Sequence, residues 1–306
     1  MNRFSIPIDV HQHLWPPEFV EALRTRRRPP RLDGWTLLLF GDDRWEIDPA
    51  LHDPLRRRAD HQLICLAPSA ALGIDRLPPD EALELADAWL TGALALGDPF
   101  RAWATAGVLE PDPASLLEAL DRGAIGLEVA ADTLAAPDGL DRLAPLLEAL
   151  GDRPLFVHPG PTAGQEAARP AWWTPTVEYV NQLHAAWWAW SDGGRTRFPD
   201  LPVCFAALAG LGPLHGERHR ARGGTDGPVD PLTFVDTSSY GTQAVDAVLR
   251  VLGVDVICHG SDRPYAAPAA LDLDLAAVQA IQYRNPARLL ARTIKEVLVC
   301  PESSMP

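Results

Sequence analysis

The sequence contains almost no lysine. Lys295 is the one lysine among 27 basic residues, and all the others are arginines. A mechanism that requires a lysine inside a central site is therefore excluded. The 41 Asp and Glu residues also outnumber the basic residues, which gives a formal net charge of −14. Proteins that bind nucleic acid through its phosphates need an excess of positive charge, so we expect no nucleic-acid partner.

Cysteines and long apolar runs are also scarce. The four cysteines stand far apart and form no Cys-x-x-Cys pair, which argues against a disulfide framework or a cysteine zinc site. The first residues, MNRFSIPIDVHQH, include no apolar signal stretch, and no run of 18 uncharged apolar residues follows. We therefore expect a cytoplasmic protein with no membrane span.

The 306 residues are 47% hydrophobic, which is enough to build a large core. Short apolar, β-branched runs alternate eight times with longer amphipathic stretches. The predicted strands are Ser5–Val10, His61–Ala67, Ala102–Val108, Ala124–Val129, Pro154–Val157, Leu201–Ala206, Leu232–Asp236 and Asp255–His259. Eight strand and helix units predict a single α/β domain over 1–306, a (β/α)8 TIM barrel, with a doubly wound open sheet as the alternative.

Two segments are longer than ordinary connections between a strand and a helix. A long inserted loop is predicted at about 28–60, and a second long connection follows the fifth strand at 159–175. In compact domains such segments usually form lids or the walls of a pocket.

The predicted strands end in residues that bind metals. His11 and His13 are two residues apart on the first strand, so they face the same side of it. His158 ends the fifth strand, and Asp262 follows the eighth. Strand ends meet at one mouth of a barrel, and three imidazoles with one carboxylate form a ligand set for zinc or a similar divalent ion.

Several short motifs extend over nearly the whole chain. They read IDVHQH from Ile8, FVHP from Phe156, FPDL from Phe198, GSD from Gly260 and NPARLL from Asn285. In order and spacing these motifs resemble the amidohydrolase-related family, and most closely its aminocarboxymuconate-semialdehyde decarboxylase branch. The resemblance implies a distorted barrel, usually dimeric. It also implies one divalent metal ion, zinc or else manganese, held by His11, His13, His158 and Asp262.

The missing lysine agrees with a single metal. Superfamily members with two metals commonly bridge them through a carboxylated lysine on the fourth strand, where this chain reads Gly126-Leu127-Glu128-Val129. We therefore predict a mononuclear site, with Glu128 as the residue able to bridge two ions in the alternative.

The chain departs from the family pattern at the end of its sixth strand. The family has a histidine there that activates water and acts as acid or base, and this chain has Ala207. Three replacements are open. Asp262 can act as the sole base, as a carboxylate beside a metal can. His215 or His219 can fold back into the site, or His259 can serve, although its position in the strand aims it away from the metal.

The resemblance also suggests residues that bind substrate. In the decarboxylases an arginine eleven residues after the sixth-strand histidine clamps a substrate carboxylate in the neighbouring subunit, and this count gives Arg218. Arg44 in the long first loop matches a second substrate arginine less closely. Trp172 and Trp173, on the connection after His158, are predicted to form a wall for a flat substrate.

These observations predict a metal-dependent enzyme acting on a small carboxylated substrate, aromatic or unsaturated, by decarboxylation. Hydrolysis of a C–N or C–O bond is the first alternative. A barrel that binds metal or ligand without turnover is the second, because of Ala207.

Overall fold

The computed structural model describes residues 7–56, 63–162, 169–225, 227–267 and 269–291. In chain order its strands are β1 Ile8–Gln12, β2 Arg31–Asp33, β3 Thr36–Leu38, β4 Arg44–Glu46, β5 Leu63–Leu66, β6 Phe100–Ala102, β7 Leu127–Ala130, β8 Leu155–His158, β9 Val203–Phe205, β10 Thr233–Asp236 and β11 Ile257–Cys258. The helices lie mainly between the parallel strands, over Pro17–Thr25, Pro79–Ala95, Pro113–Asp121, Ala131–Ala135, Gly139–Leu150, Tyr179–Ala189, Arg195–Arg197, Gly216–Ala221, Thr242–Leu252, Leu275–Gln279 and Asn285–Leu289.

The eight strands of the alternating units form two parallel sheets. One has the order β1-β5-β6, and the other has the order β11-β10-β9-β8-β7. Backbone contacts join the two sheets along both edges: Gln12 bridges to Arg263, and Ala104 bridges to Leu127. The N–H of Val10 also donates to the carbonyl oxygen of His259 at 3.0 Å. The strands thus form the distorted barrel that the sequence predicts.

Local sequence explains where the helices begin. Pro113 occupies the first turn of its helix, where its missing N–H removes no hydrogen bond. The Asp112 carboxylate accepts from the N–H of Ala114 at 3.0 Å and caps the helix. No helix in the described part of the chain is long and apolar enough to cross a membrane.

Aromatic side chains fill the barrel beneath the mouth. The Trp103 and Phe156 rings stack with centroids 5.2 Å apart, and both are fully buried. The Trp103 indole N–H donates to the carbonyl oxygen of Val10 at 3.0 Å, and Phe156 contacts the His11 ring edge to face. This floor fixes the position of β1, which carries two of the predicted metal ligands.

The predicted third strand is wrong in its position. It was expected over Ala102–Val108, but strand pairing covers Phe100–Ala102 and continues only as the single bridge at Ala104. The chain turns outward beyond Ala104, because the N–H of Val108 bonds to the carbonyl oxygen of Asp75 at 2.8 Å instead of to a neighbouring strand.

The long inserted loop contains structure of its own. Strands β2, β3 and β4 form an antiparallel sheet in which Leu37 pairs with Trp45. Short 3-10 turns follow at Pro49–His52 and Pro54–Arg56. This sheet forms part of a pocket wall, as predicted for the long loop, because Leu37 and Trp45 line the cavity described below.

Asp75 gives the protein a pH-dependent stability that can be measured. Burial raises the pKa of its carboxyl to about 6 from an ordinary 3.8, although Arg76 and the Thr133 hydroxyl favour the charged form. The folded state therefore prefers the protonated acid, and stability is lost as the pH rises from about 4 through about 6. As the pH rises through this range, the free energy of unfolding of Asp75→Asn should increase relative to that of wild type. The difference should reach up to about 3 kcal/mol above pH 6.

Denaturant unfolding of both proteins at several pH values checks this expectation. Asp246, whose exposed carboxylate pairs with Arg250, gives the control Asp246→Asn, which should show no comparable gain. A constant difference between wild type and Asp75→Asn from pH 4 to pH 7 would show that Asp75 titrates as it does in the unfolded chain.

Candidate metal centre

Strand β1 brings its two histidines together, as the sequence predicts. His11 lies within the strand and His13 directly follows it, and both side chains are almost completely buried. Their Nε2 atoms are 3.0 Å apart. The strand parity therefore aims both imidazoles at the same point.

The other two predicted ligands reach the same point from β8 and from the segment after β11. Oδ1 of Asp262 lies 3.6 Å from His11 Nε2 and 3.3 Å from His13 Nε2. The His158 ring lies about equally far from both other imidazoles, with centroid distances of 5.0 Å. One donor atom from each of the four residues lies within 4.8 Å of all the others.

The hydrogen bonds on the outer sides of the rings show that this group fits a cation. Nδ1 of His13 bonds to the carbonyl oxygen of Ala67, and Nδ1 of His158 bonds to that of Pro159, both at 2.9 Å. Nδ1 of His11 bonds to an Asp236 carboxylate oxygen at 2.8 Å. These partners can only accept, so each Nδ1 carries the proton. The Nε2 lone pairs then point toward one another, an arrangement that a bound cation stabilises.

The electrostatics also favour metal binding. Burial and the neighbouring imidazoles lower the pKa of His158 well below its ordinary value, and burial lowers the pKa of His13, so both rings are neutral. Burial opposes the charged form of Asp262, but the neighbouring imidazoles, His13 and His11 first among them, lower its pKa to about 2. The carboxylate is therefore ionised, as a ligand must be.

His11 differs from His13 and His158 because its Nδ1 bonds to the carboxylate of Asp236. Burial works against its charged form, yet the Asp236 carboxylate raises the pKa of His11 to about 9. In the absence of a metal ion, this ring holds the proton that a divalent cation would displace.

Sequence reasoning missed Asp236. It ends β10 and is completely buried. Its second oxygen accepts from the N–H groups of Ala207 and Ser238, both at 2.9 Å. The sequence did place this acidic residue at the carboxyl end of a predicted barrel strand, and that position could have indicated a role in the site.

Asp236→Asn is expected to weaken metal binding about 10- to 100-fold, as loss of such supporting carboxylates typically does. An amide no longer favours the Nδ1–H form of His11 over the other tautomer. The dissociation constant for Mn²⁺ or Zn²⁺ by competition with a chelator measures this. Asp230, which bonds to Arg195 before the same strand, gives the control Asp230→Asn, with affinity within about threefold of wild type. Unchanged affinity in Asp236→Asn would show that Asp236 does not hold His11 for the metal.

Glu128, the residue considered for bridging two ions, lies outside this donor group. Its Oε1 accepts from the N–H of Ala70 at 3.2 Å and lies 3.8 Å from Nδ1 of His158, on the side of the ring away from the other ligands. Burial raises the pKa of Glu128 to about 8. Within the described residues the group has four members, which agrees with a mononuclear site.

Ala207 begins an unusual stretch of backbone. Five consecutive residues from Ala207 to Leu211 have φ between +46° and +59°, and only Gly210 among them is glycine. A Cβ at Gly210 would lie 2.3 Å from the carbonyl oxygen of Val180, which explains the glycine there. The others adopt a conformation that costs L-residues about 1–2 kcal/mol each. This turn places the Ala207 N–H on Asp236 and its methyl group in the cavity above the ligands.

Ala207→Gly is therefore expected to raise the free energy of unfolding by about 0.5–1 kcal/mol, since relief of the left-handed strain exceeds the added chain entropy. The matched control is Ala206→Gly. Ala206 is buried with an ordinary φ of −63°, so this change should lower stability by about 1 kcal/mol or more. Denaturant unfolding compares the two variants, and equal losses in both would contradict the strain at Ala207.

No other histidine takes the place of the absent imidazole among the residues that line the described cavity. His215 and His219 are exposed and contact the rings of His184 and Trp188. His259 faces Asp9, with Nε2 3.8 Å from a carboxylate oxygen, as its position in the strand predicts. The described chain thus does not place His215 or His219 in the cavity, whereas Asp262 lines it. The role of Asp262 as sole base stays a prediction.

The four candidate ligands face a cavity of about 410 Å³. Its lining combines aliphatic and aromatic side chains from the inserted sheet with hydroxyl groups from the loops after β5, β8 and β10. A larger groove of about 700 Å³ lies between helices Pro79–Ala95 and Pro113–Asp121, but its lining contains acidic residues and no histidine. The smaller cavity is the one that joins the candidate metal centre.

The residues predicted to bind substrate do not line this cavity. Arg44 is exposed because strand alternation turns its neighbour Trp45 inward. Trp172 is 58% exposed, and Trp173 packs against Arg169. Arg218 is exposed on helix Gly216–Ala221, so its contact with substrate in another copy of the chain stays a prediction.

Solved structures share this architecture. A 5-carboxyvanillate decarboxylase from Novosphingobium aromaticivorans, complexed with manganese and 4-hydroxy-3-methoxy-5-nitrobenzoic acid, matches with a TM-score of 0.65. It is 17% identical, over 95% of this chain and 97% of its own. The 2,6-dihydroxybenzoate decarboxylase from Rhizobium matches with a TM-score of 0.64 at 17% identity, over 94% of this chain and 99% of its own.

A structure described as amidohydrolase II gives a TM-score of 0.66 at 19% identity, over 93% of this chain and 99% of its own. The chain has the amidohydrolase-type barrel fold. The resemblance that the motifs predicted is thus confirmed at the level of the fold. No family model matches the chain, and no curated protein matches it.

Proposed function

We propose that this amidohydrolase-type barrel is a metal-dependent decarboxylase of small aromatic or unsaturated carboxylic acids. The observation that carries the proposal is the convergence of three imidazole nitrogens and the Asp262 carboxylate at the floor of a largely apolar cavity. Support comes from solved structures with the same fold, two of which are named as decarboxylases of aromatic acids.

The metal would be held by His11, His13, His158 and Asp262. One divalent ion, zinc or manganese, would polarise the substrate and neutralise its carboxylate when bound. Manganese in the Novosphingobium structure supports a divalent ion in this fold. The protein's own contribution is to hold the imidazoles in one tautomer and to cover the cavity with the apolar side chains of the inserted sheet.

Asp262 is proposed to move the proton. In decarboxylation the bond to the carboxyl carbon breaks, its electron pair stays on the ring carbon, carbon dioxide leaves, and that carbon takes up one proton. Asp262 is 21% exposed at the edge of the cavity, so it can take a proton from solvent and deliver it to substrate. The hydroxyl of Ser239 donates to its Oδ2 at 3.3 Å and orients the carboxylate.

Hydrolysis of an amide, imide or lactone is the second candidate. The matching structure described as amidohydrolase II favours it, and so does the low pKa of Asp262, which suits a base better than an acid. In that reaction Asp262 would take a proton from the attacking water.

Turnover on two panels tests the proposal. Purified protein loaded with Mn²⁺ or Zn²⁺ is offered hydroxylated aromatic acids, with carbon dioxide measured, and lactones and imides, with ring opening measured. We expect carbon dioxide release that chelator abolishes and added metal restores. Ring opening alone would favour hydrolysis. About one equivalent of metal with turnover on neither panel would overturn both and favour a barrel that only binds.

A further inference from the structure

The inserted antiparallel sheet covers the cavity with apolar side chains. Leu37 and Trp45 pair across β3 and β4, and both line the cavity together with Leu39 and Ile47. The alternate residues of β4, Arg44 and Glu46, are exposed. The alternation of these strands therefore places a hydrophobic roof over the ligands and keeps the charged side chains of the sheet outside.

The polar part of the cavity is almost entirely uncharged. Hydroxyl groups come from Ser69, Thr176, Tyr179, Ser238 and Tyr240, and burial beside Asp262 raises the pKa of Tyr179, which keeps its phenol neutral. Among the described lining residues none is Arg or Lys, and the one carboxylate is Asp262. Within the described lining, the metal centre is thus the only group that can neutralise an anion.

An anionic group elsewhere in this cavity would meet no partner of opposite charge among the described lining residues. Removing a carboxylate from water without such a partner is strongly unfavourable, and neutral hydroxyls compensate only part of that cost. The chain's formal charge of −14 adds a field that repels anions.

We propose that the substrate carries a single anionic group, the carboxylate at the metal centre, and that the remainder of the molecule is an uncharged, flat apolar ring with hydroxyl-type substituents. This inference rests on the proposed function and deepens it. Leu39, directly after β3, and Trp45 on β4 contribute to this specificity because they offer a second carboxylate apolar side chains in place of a cationic partner.

Two acids that differ by one carboxylate test the inference. Calorimetric titration of Mn²⁺-loaded protein compares 4-hydroxybenzoate with 4-hydroxyisophthalate. We expect the monocarboxylic acid to bind at least about 10-fold more tightly. Equal or tighter binding of the dicarboxylic acid would overturn the inference and leave the proposed function standing. If neither acid binds and no acid of the aromatic panel is turned over, both the inference and the proposed function would be overturned.

A cation added to the roof should reverse the preference. Leu39→Arg is expected to improve binding of 4-hydroxyisophthalate about 10-fold or more, because an ionic hydrogen bond to a carboxylate is of that strength. Leu38→Arg is the matched control, since Leu38 does not line the cavity, and it should leave both affinities within about threefold of wild type. Equal effects of the two variants would contradict the role of the roof, and the wild-type comparison decides the matter if Leu39→Arg fails to fold.

The sequence predicts that Arg218 of a second copy binds a substrate carboxylate. That prediction and this inference cannot both hold, so the variant Arg218→Ala decides between them. Unchanged affinity for both acids supports a cavity without a cationic partner. A loss of about 10-fold or more for 4-hydroxyisophthalate, with folding and metal content unchanged, would show that another copy supplies the cation and would overturn the inference.

Discussion

Replacing His11 and His13 together by alanine is expected to remove the metal ion from the protein. Two of the four donors are lost, and the two that remain, His158 after β8 and Asp262 after β11, have no third member of the group among the described residues to complete the coordination. Metal content after purification and dialysis should fall from about one equivalent to a small fraction of it, and any decarboxylation should fall with it. Elemental analysis of the purified variant measures this directly.

The chain offers a matched pair of histidines as a control. His215 and His219 are exposed, four residues apart and outside the cavity, so His215→Ala with His219→Ala should keep full metal content. Full occupancy in the His11 and His13 double variant would exclude the assigned centre. Loss of metal in the control pair would instead place the ion on helix Gly216–Ala221.

Asp262→Asn is expected to lower kcat by about 100- to 10,000-fold, the usual contribution of a group that transfers a proton. Asparagine keeps an oxygen that can coordinate a metal, but it can neither accept nor deliver the proton that the reaction moves. The loss should therefore appear in kcat more than in metal content, which elemental analysis of the same sample reports. Asp246→Asn, on the exposed face of helix Thr242–Leu252, is the control and should keep wild-type kcat.

The outcome also separates the two roles of Asp262. A variant with metal bound and kcat within about threefold of wild type would show that another group moves the proton. Loss of metal and activity together, both restored by excess Mn²⁺, would show that Asp262 is a ligand only.

The sequence is sufficient to predict the barrel and the four side chains that meet at its mouth. Alternating strands and helices require parallel strands, parallel strands place their carboxyl ends at one mouth, and the two-residue spacing of His11 and His13 fixes their common face. The bounds of β6 were shifted, because the apolar run beyond Ala104 forms its hydrogen bonds away from the sheet.

Other features of the site depend on tertiary contacts that local patterns do not report. The position of Asp236 at a strand end is visible in the sequence, but its contact with His11 follows only once β10 is placed beside β9 and β11. The orientation of Arg44 follows from strand register inside the insertion, where the sequence predicts only a loop. The left-handed turn after Ala206 is equally hidden, because four of its five residues are not glycine.

The central claim is that one divalent ion binds at the mouth of the barrel through four named side chains. A crystal structure of the Mn²⁺-loaded protein, with anomalous differences measured near the manganese edge, tests it most directly. The account predicts one anomalous peak per chain, about 2.0–2.3 Å from Nε2 of His11, His13 and His158 and from a carboxylate oxygen of Asp262. A peak at other side chains, or an ordered site with water in place of the ion at saturating Mn²⁺, would contradict it.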